Sequence, residues 1–305
     1  MTPRRLKTMY RGLMSSSELP QTIPTVSLVL PCFNEAENLP AVFAKIPSIV
    51  TEVIFVDGGS RDGSIEVARS LRPDIVVLGQ ESPGKGLALT IGLLAATSSI
   101  VVMADTDCST DLDELESFVA ALMNGADLAK GTRHLPPGGS DDFTRVRLLG
   151  NWFLVRFVNL LFKTKWTDLA YGYAAFWTDT VRAIGLSEIR DLQSEVDAGT
   201  SRRPQVYGHG FEIETLMFCR TAHLGYTVTE VPSHEHLRVH GGSNLNALRD
   251  GLRVLRCIFQ ERFSRTPAHL RATTTLTDRM AVRLAQTADP TPPAQDPTAD
   301  PASQH

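Results

Sequence analysis

Apolar residues gather in short runs, each ending in a polar or acidic turn. Val26-Ser27-Leu28-Val29-Leu30 runs into Pro31-Cys32-Phe33-Asn34-Glu35, and Glu52-Val53-Ile54-Phe55-Val56 runs into Asp57-Gly58-Gly59-Ser60. Ile75-Val76-Val77-Leu78 follows, and Ser99-Ile100-Val101-Val102-Met103-Ala104 ends at Asp105-Thr106-Asp107. Runs of this length, rich in β-branched residues, predict buried strands. Pro31 is expected to end the first strand, since it cannot donate to a ladder. Helical stretches are predicted from Asn34 to Leu39, from Ile65 to Arg69 behind Ser64 as a cap, and from Leu87 to Ala96 behind Gly84-Lys85-Gly86. Strand and helix alternate, which predicts an α/β fold. Its central sheet would be mixed, largely parallel and Rossmann-like, with helices on both faces.

Acids at strand tips carry the candidate chemistry. Ligands of open α/β sheets bind outside the carboxyl ends of the strands. There Asp105 and Asp107 would present hard oxygen donors of the kind that hold Mg²⁺ or Mn²⁺ together with a substrate phosphate. Asp57 stands at the neighbouring tip, with Gly58 and Gly59 allowing close backbone approach.

One later segment departs from the amphipathic norm. From Arg145 to Trp166 the period is helical, yet nearly every face is apolar. Arg156 and Asn159 interrupt it, so it falls short of the roughly 20 apolar residues of a membrane span. Two readings stay open: a buried helix or homodimer contact, or an interfacial helix that meets a lipid with basic residues at headgroup level.

The chain has 305 residues, a formal net charge of −4 and 42% hydrophobic residues. This is the profile of a globular protein and argues against a general nucleic-acid binder. Cys32, Cys108, Cys219 and Cys257 show no zinc or redox spacing and are expected to be core or near-core thiols. No apolar leader follows Arg4, Arg5 and Lys7, which suggests a cytoplasmic protein. Residues 1–22 and 266–305 are expected to be largely disordered tails flanking one domain over 23–265, and the polar stretch from Ser187 to His209 to be a mobile loop or surface insertion.

Taken in order, these motifs resemble the inverting glycosyltransferases of family two, which have the GT-A fold. The resemblance rests on Leu30-Pro31-Cys32-Phe33-Asn34-Glu35, Val56-Asp57-Gly58-Gly59-Ser60-Arg61-Asp62-Gly63, Gly84-Lys85-Gly86 and Asp105-Thr106-Asp107. It continues through Gly131-Thr132-Arg133, Thr167 to Tyr173, Gly210 to Glu214 and Glu230-Val231-Pro232. Arg238-Val239-His240-Gly241-Gly242-Ser243-Asn244 is similar to the Arg-x-x-Gly-x-Ser-Lys signature of polyprenyl-phosphate and dolichyl-phosphate sugar synthases. Departures are Gly58 where a second acid is frequent, Ser109 where a metal-binding Gln is frequent, and Asn244 for the signature Lys.

The resemblance implies a metal-dependent transfer of a hexose from a nucleotide diphosphate sugar to a polyprenyl phosphate at the inner membrane face. A rival acceptor is a soluble hydroxyl compound, and a rival of another class is a sugar-phosphate nucleotidyltransferase. Pro31, Asn34, Glu35, Asp57, Gly59, Lys85 and Asp105 would hold the donor. Asp105 and Asp107 would hold Mg²⁺ or Mn²⁺, with His240 the candidate third ligand from the group His234, His236 and His240. Arg133, Arg238 and Ser243 would hold the acceptor phosphate. A hydroxyl acceptor would need a base, for which Asp168, Glu212 and Glu214 are candidates.

Overall fold

The computed structural model describes residues 24–80, 82, 84–189, 208–241, 247–263, 279–280 and 282–283. Ser243, Asn244 and most of the Ser187–His209 stretch therefore lie outside the described residues.

The strands β1 (Val26–Cys32), β2 (Val50–Asp57), β3 (Val76–Gly79), β4 (Ile100–Met103), β5 (Leu128–Thr132), β7 (Ala174–Trp177) and β8 (Val228–Pro232) form one seven-stranded sheet in the order β3-β2-β1-β4-β7-β5-β8. Every pairing in it is parallel except those of β7, which runs antiparallel between β4 and β5. A short parallel pair, β6 (Gly139–Ser140) with β9 (His234–Glu235), lies beside the sheet's carboxyl edge.

Alternation along the strands divides the core. Leu28, Leu30, Val53, Phe55, Ile100 and Val102 pack on one face with helices α1 (Leu39–Ala44), α2 (Ser64–Leu71) and α4 (Leu115–Met123). Val29, Ile54, Val56, Val101 and Met103 pack on the other with α3 (Lys85–Ala95), α5 (Arg145–Phe162), α6 (Thr178–Ala183), α7 (Glu212–His223) and α8 (Ala247–Phe263). The period of two thus buries both faces, as a largely parallel sheet requires. In α3, a Cβ added to Gly92 would come within 2.4 Å of Val29 Cγ1, so this helix lies directly on the sheet.

Two expectations at β1 change. The strand continues through Pro31 to Cys32. Alternate residues of β1 face β4, and on that side the ladder has already ended at Val29–Met103. The missing N–H of Pro31 therefore interrupts nothing, while its carbonyl accepts the Thr106 hydroxyl at 2.9 Å. The next helix starts at Leu39 rather than near Asn34. Asn34 is left-handed (φ 57°), and the N–H groups of Asn34, Glu35 and Ala36 donate to Ser60 Oγ, Ser64 Oγ and Asp62 Oδ2. Side chains of the β2 loop take up the amides that a helix start would leave open. Ser64 is itself the first residue of α2, behind Gly63.

The α5 segment is neither fully buried nor amphipathic in the usual sense. Asn151, Val155 and Val158 face the core, while Val146, Leu149, Trp152, Phe153 and Leu160 are each more than half exposed. Two of its asparagines have local work. Asn159 accepts from Thr164 Oγ1 and Trp166 N, and Asn151 Oδ1 accepts from Leu169 N. No helix among the described residues is long and apolar enough to cross a membrane.

Within the segment expected to be a C-terminal tail, Arg279 and Arg283 are buried. They clamp Asp127 at 2.8 and 2.7 Å, and Arg283 reaches Asp179 at 2.9 Å. Cys32, Cys219 and Cys257 are buried, as core thiols should be. Burial pushes the Cys32 thiol up to about 12, far from a reactive thiolate.

Candidate functional site

Two cavities open at the carboxyl edge of the sheet. The first, about 300 Å³, is lined by the tips of β1 and β2 (Pro31, Cys32, Phe33, Glu35, Gly58), by Gln80, and by Thr106 and Asp107. The second, about 270 Å³, lies under α5 and α8, between Val146, Leu154 and Val254 on one side and Arg133, Tyr171 and Glu214 on the other. Lys85, Asp105, Phe211 and Arg238 line both. The wall between the cavities is therefore charged and carries one of the two strand-tip aspartates.

Each aspartate already faces a cation. Lys85 Nζ lies 2.7 Å from Asp105 Oδ1 and 3.0 Å from Glu214 Oε1. Burial alone would lower the lysine's pKa, but the two carboxylates outweigh it and hold the ammonium well above its ordinary value. Burial pushes the Glu214 carboxyl up, Lys85 pulls it down and Asp105 raises it again, with a net upward shift. Asp107 pairs with Arg238 Nε at 2.9 Å, and its Oδ1 accepts from Ser109 N and Oγ at 3.0 and 2.6 Å. Glu35 stands close by. Burial raises its carboxyl pKa, the Asn38 amide lowers it and Asp107 raises it, again with a net rise.

The glycines of Gly84-Lys85-Gly86 have a packing reason. A Cβ on Gly86 would sit 1.9 Å from the Gly208 carbonyl oxygen, and Gly86 N donates to His209 O at 2.8 Å. They bring α3 against the 208–210 turn and so set Phe211 beneath Lys85, 5.5 Å from ring centroid to ammonium. Gly172 has a similar role, because a Cβ there would meet Lys85 Nζ at 3.0 Å and Glu214 Oε1 at 3.1 Å. Asp57 is buried, and its carboxylate accepts from Gly59 N at 2.9 Å and Ser60 N at 3.0 Å. It shapes the turn at the β2 tip. Asn34 Oδ1 accepts from Arg61 N at 2.9 Å, which locks the β1 and β2 loops together.

Other expected site residues are occupied elsewhere. Asp168 is fully buried and receives Arg133 Nε at 2.7 Å, Nη2 at 2.9 Å and the backbone N at 3.1 Å. Arg133 also binds Glu235 at 2.9 Å and the Ala170 carbonyl at 2.9 Å. Burial would raise the Asp168 carboxyl, but Arg133 and Lys130 overcome it and hold it well below the usual carboxylate range. The pair leaves Asp168 without the proton affinity of a base, and leaves Arg133 without the open fork that an acceptor phosphate needs. Arg133 lines the second cavity, and Asp168 lies behind it and holds it in place. Glu212 is buried at the start of α7, where Oε1 accepts from Gly210 N at 3.3 Å. His240 contacts Asn38 through its backbone and Glu37 at 3.7 Å, rather than either strand-tip aspartate. Sequence reasoning missed Phe211, Gln80 and Glu235. Phe211 lies within the Gly210–Glu214 motif but carries no charge to single it out, Gln80 carries no motif signal, and Glu235 sits on a two-residue strand that periodicity cannot show.

The profile of glycosyl transferase family 2 matches residues 27–183. An uncharacterized glycosyltransferase of Mycobacterium tuberculosis is 44% identical over 108 residues, 35% of this chain and 48% of that protein. The match thus spans about half the length of that relative. Undecaprenyl-phosphate mannosyltransferase of Micrococcus luteus is 29% identical over 216 residues, covering 68% of this chain and 82% of the relative. Among solved structures, Mycobacterium tuberculosis glucosyl-3-phosphoglycerate synthase with Mn²⁺, uridine diphosphate and glucosyl-3-phosphoglycerate superimposes with a TM-score of 0.58 at 20% identity, over 86% of this chain and 84% of that one. The mixed α/β sheet is the GT-A glycosyltransferase architecture.

Proposed function

The chain belongs to glycosyl transferase family 2, and on that premise we propose that it moves a hexose from a nucleotide diphosphate sugar to a polyprenyl phosphate. Membership of this family removes the nucleotidyltransferase alternative. The observation that carries the reading is the shared wall: a donor in the first cavity and an acceptor in the second meet at Asp105, Lys85 and Arg238.

The nucleotide occupies the tips of β1 and β2, where Pro31, Glu35 and Gly59 frame it and Asp57 reads the base or ribose. Asn34 holds that loop in shape. Asp105 and Asp107 supply the hard carboxylate oxygens that suit Mg²⁺ or Mn²⁺, and with Glu35 and Glu214 close by these carboxylates outnumber Lys85 and Arg238. Such an ion would neutralise charge growing on the leaving diphosphate. Lys85 adds a second cation at the same place. Arg238, on the wall between the cavities, gives its guanidinium to the acceptor phosphate.

Two features support a lipid phosphate. The outer faces of α5 and α8 beside the second cavity expose Leu149, Trp152, Phe153, Leu160, Leu252, Phe259 and Phe263. A phosphate is also already ionised and attacks without a base, in keeping with Asp168 locked to Arg133. One observation favours a hydroxyl acceptor instead: Glu214 lines the second cavity with a raised pKa, as suits a general base. The test is to supply GDP-mannose or UDP-glucose with Mn²⁺ and polyprenyl phosphate in vesicles. A glycosylated lipid phosphate and free nucleoside diphosphate are expected. Donor turnover only with soluble hydroxyl compounds overturns the lipid assignment.

A further inference from the structure

We propose that Asp141, His234 and His236 form a second, structural divalent-metal site, of Zn²⁺ type, outside both cavities. Their ligand atoms all lie within 4.8 Å of one another, and none of the three lines either cavity. The backbone brings them together. His234 and His236 are two apart on an extended segment, and Asp141 directly follows β6, the strand paired with β9. His234 Nε2 is 3.0 Å from Asp141 Oδ1, and His236 Nδ1 is 3.6 Å from Asp141 Oδ2. A tetrahedral zinc with ligands at about 2.0–2.1 Å separates neighbouring donor atoms by about 3.3 Å. The two histidine–Asp141 separations bracket that edge and all three ligand atoms lie within 4.8 Å, so side-chain rotations would seat the ion.

Two further contacts fit a metal ligand set. With Nδ1 of His236 turned to the ion, its Nε2 points to Asp111 Oδ2 at 3.7 Å. Asp111 is itself held by Lys45 at 3.3 Å. A carboxylate behind a ligating imidazole is the usual orienting partner in zinc sites. Gly139 lies under the other imidazole, where a Cβ would come 2.9 Å from His234 Nδ1. The three ligand side chains are between 38% and 47% exposed, which leaves an entry path and room for a water as fourth ligand. Two imidazoles with one carboxylate suit Zn²⁺ better than Mg²⁺, which prefers an all-oxygen set.

The consequence is positional. Glu235, between the two histidines, holds Arg133 at 2.9 Å and so supports the floor of the second cavity. An ion bridging β9 to the residue after β6 would fix that support without touching either substrate.

The experiment is calorimetric titration of metal-stripped full-length protein with ZnCl₂, in parallel with an Asp105→Asn, Asp107→Asn double variant. A Zn²⁺ site that persists in the double variant is expected, with binding there at least tenfold weaker once His234→Gln, His236→Gln or Asp141→Asn is added. Because these side chains are surface-accessible, adding each change to the double variant should leave its melting temperature in EDTA unaltered and abolish the gain that the double variant shows on adding Zn²⁺. Co²⁺ substitution gives a readout free of mutation at the three ligands: a four- or five-coordinate nitrogen-ligated site absorbs strongly in the visible. Zinc binding that is absent from the wild type, unchanged in the histidine variants, or lost with Asp105 and Asp107 overturns the proposal. So does a Co²⁺ spectrum of the weak, six-coordinate oxygen type in the Asp105→Asn, Asp107→Asn double variant.

Discussion

Arg238 Nε sits 2.9 Å from Asp107 Oδ2. A residue whose sequence context points to the acceptor phosphate is thus paired with a residue whose context points to the metal. The wall between the two cavities is one electrostatic unit, and changes on it should act on both substrates to different degrees.

Asp107→Asn should lower kcat/KM on the order of 10²–10³-fold, the scale seen when a preorganised charge-stabilising contact is lost. Mn²⁺ should no longer raise nucleoside diphosphate affinity. Arg238→Ala should mainly raise the acceptor KM, since a hydrogen bond to a charged group is worth roughly 1.5–3 kcal/mol. Steady-state kinetics with each substrate varied in turn check both, and equal loss on donor and acceptor in Arg238→Ala speaks against the acceptor role.

Asp57→Ala should weaken nucleoside diphosphate binding about tenfold or more, equal to about 1.4 kcal/mol. The change removes a ligand contact and also frees the Gly59 and Ser60 amides that the carboxylate now holds. Titration calorimetry decides it, with unchanged affinity the contrary result.

Asp168→Ala should cost about 3–5 kcal/mol of stability, because it strands a buried guanidinium. The Asp168 carboxyl is depressed in the folded state. Its contribution is therefore fully present above the unfolded carboxyl value of about 3.9 and declines as pH falls below it toward the folded value. Denaturant unfolding of the wild type from pH 7 to pH 3 should show this acid loss, and Asp168→Asn should flatten that limb.

Glu214→Gln separates the two acceptor classes. With a phosphate acceptor the loss in kcat should stay within about tenfold, whereas a general base for a hydroxyl contributes on the order of 10²–10⁴. A rate that in the wild type falls at acid pH, and no longer does so in Glu214→Gln, would favour the hydroxyl reading.

The exposed face of α5 should seek a lipid surface. Burying a large apolar side chain is worth roughly 1.5–3 kcal/mol, so a Trp152→Glu, Phe153→Glu double change should weaken vesicle binding on the order of 10²-fold or more. Co-sedimentation with vesicles of anionic lipid and polyprenyl phosphate measures it. Wild-type protein that stays in the supernatant sinks the interfacial reading.

The apolar runs ending near Pro31, Asp57 and Asp105 were enough to specify strands of a largely parallel sheet and the edge at which the candidate site lies. A strand buried on both faces reads as a short continuous apolar run, so local pattern and global fold agree. Pattern could not show which charges neutralise one another. Arg133 and Asp168 carry the same motif signal as Arg238 and Asp107, yet the first pair is buried beside the second cavity and the second lines the first cavity. That distinction arises only when β5 and the segment before β7 are brought together across 35 residues of chain. Likewise Asp141 and His234 are 93 residues apart and meet because β6 pairs with β9. Sequence carries the period of each element, whereas desolvation and ion pairing depend on what lies across the fold, and these decide which carboxylates and guanidinia remain open to a substrate.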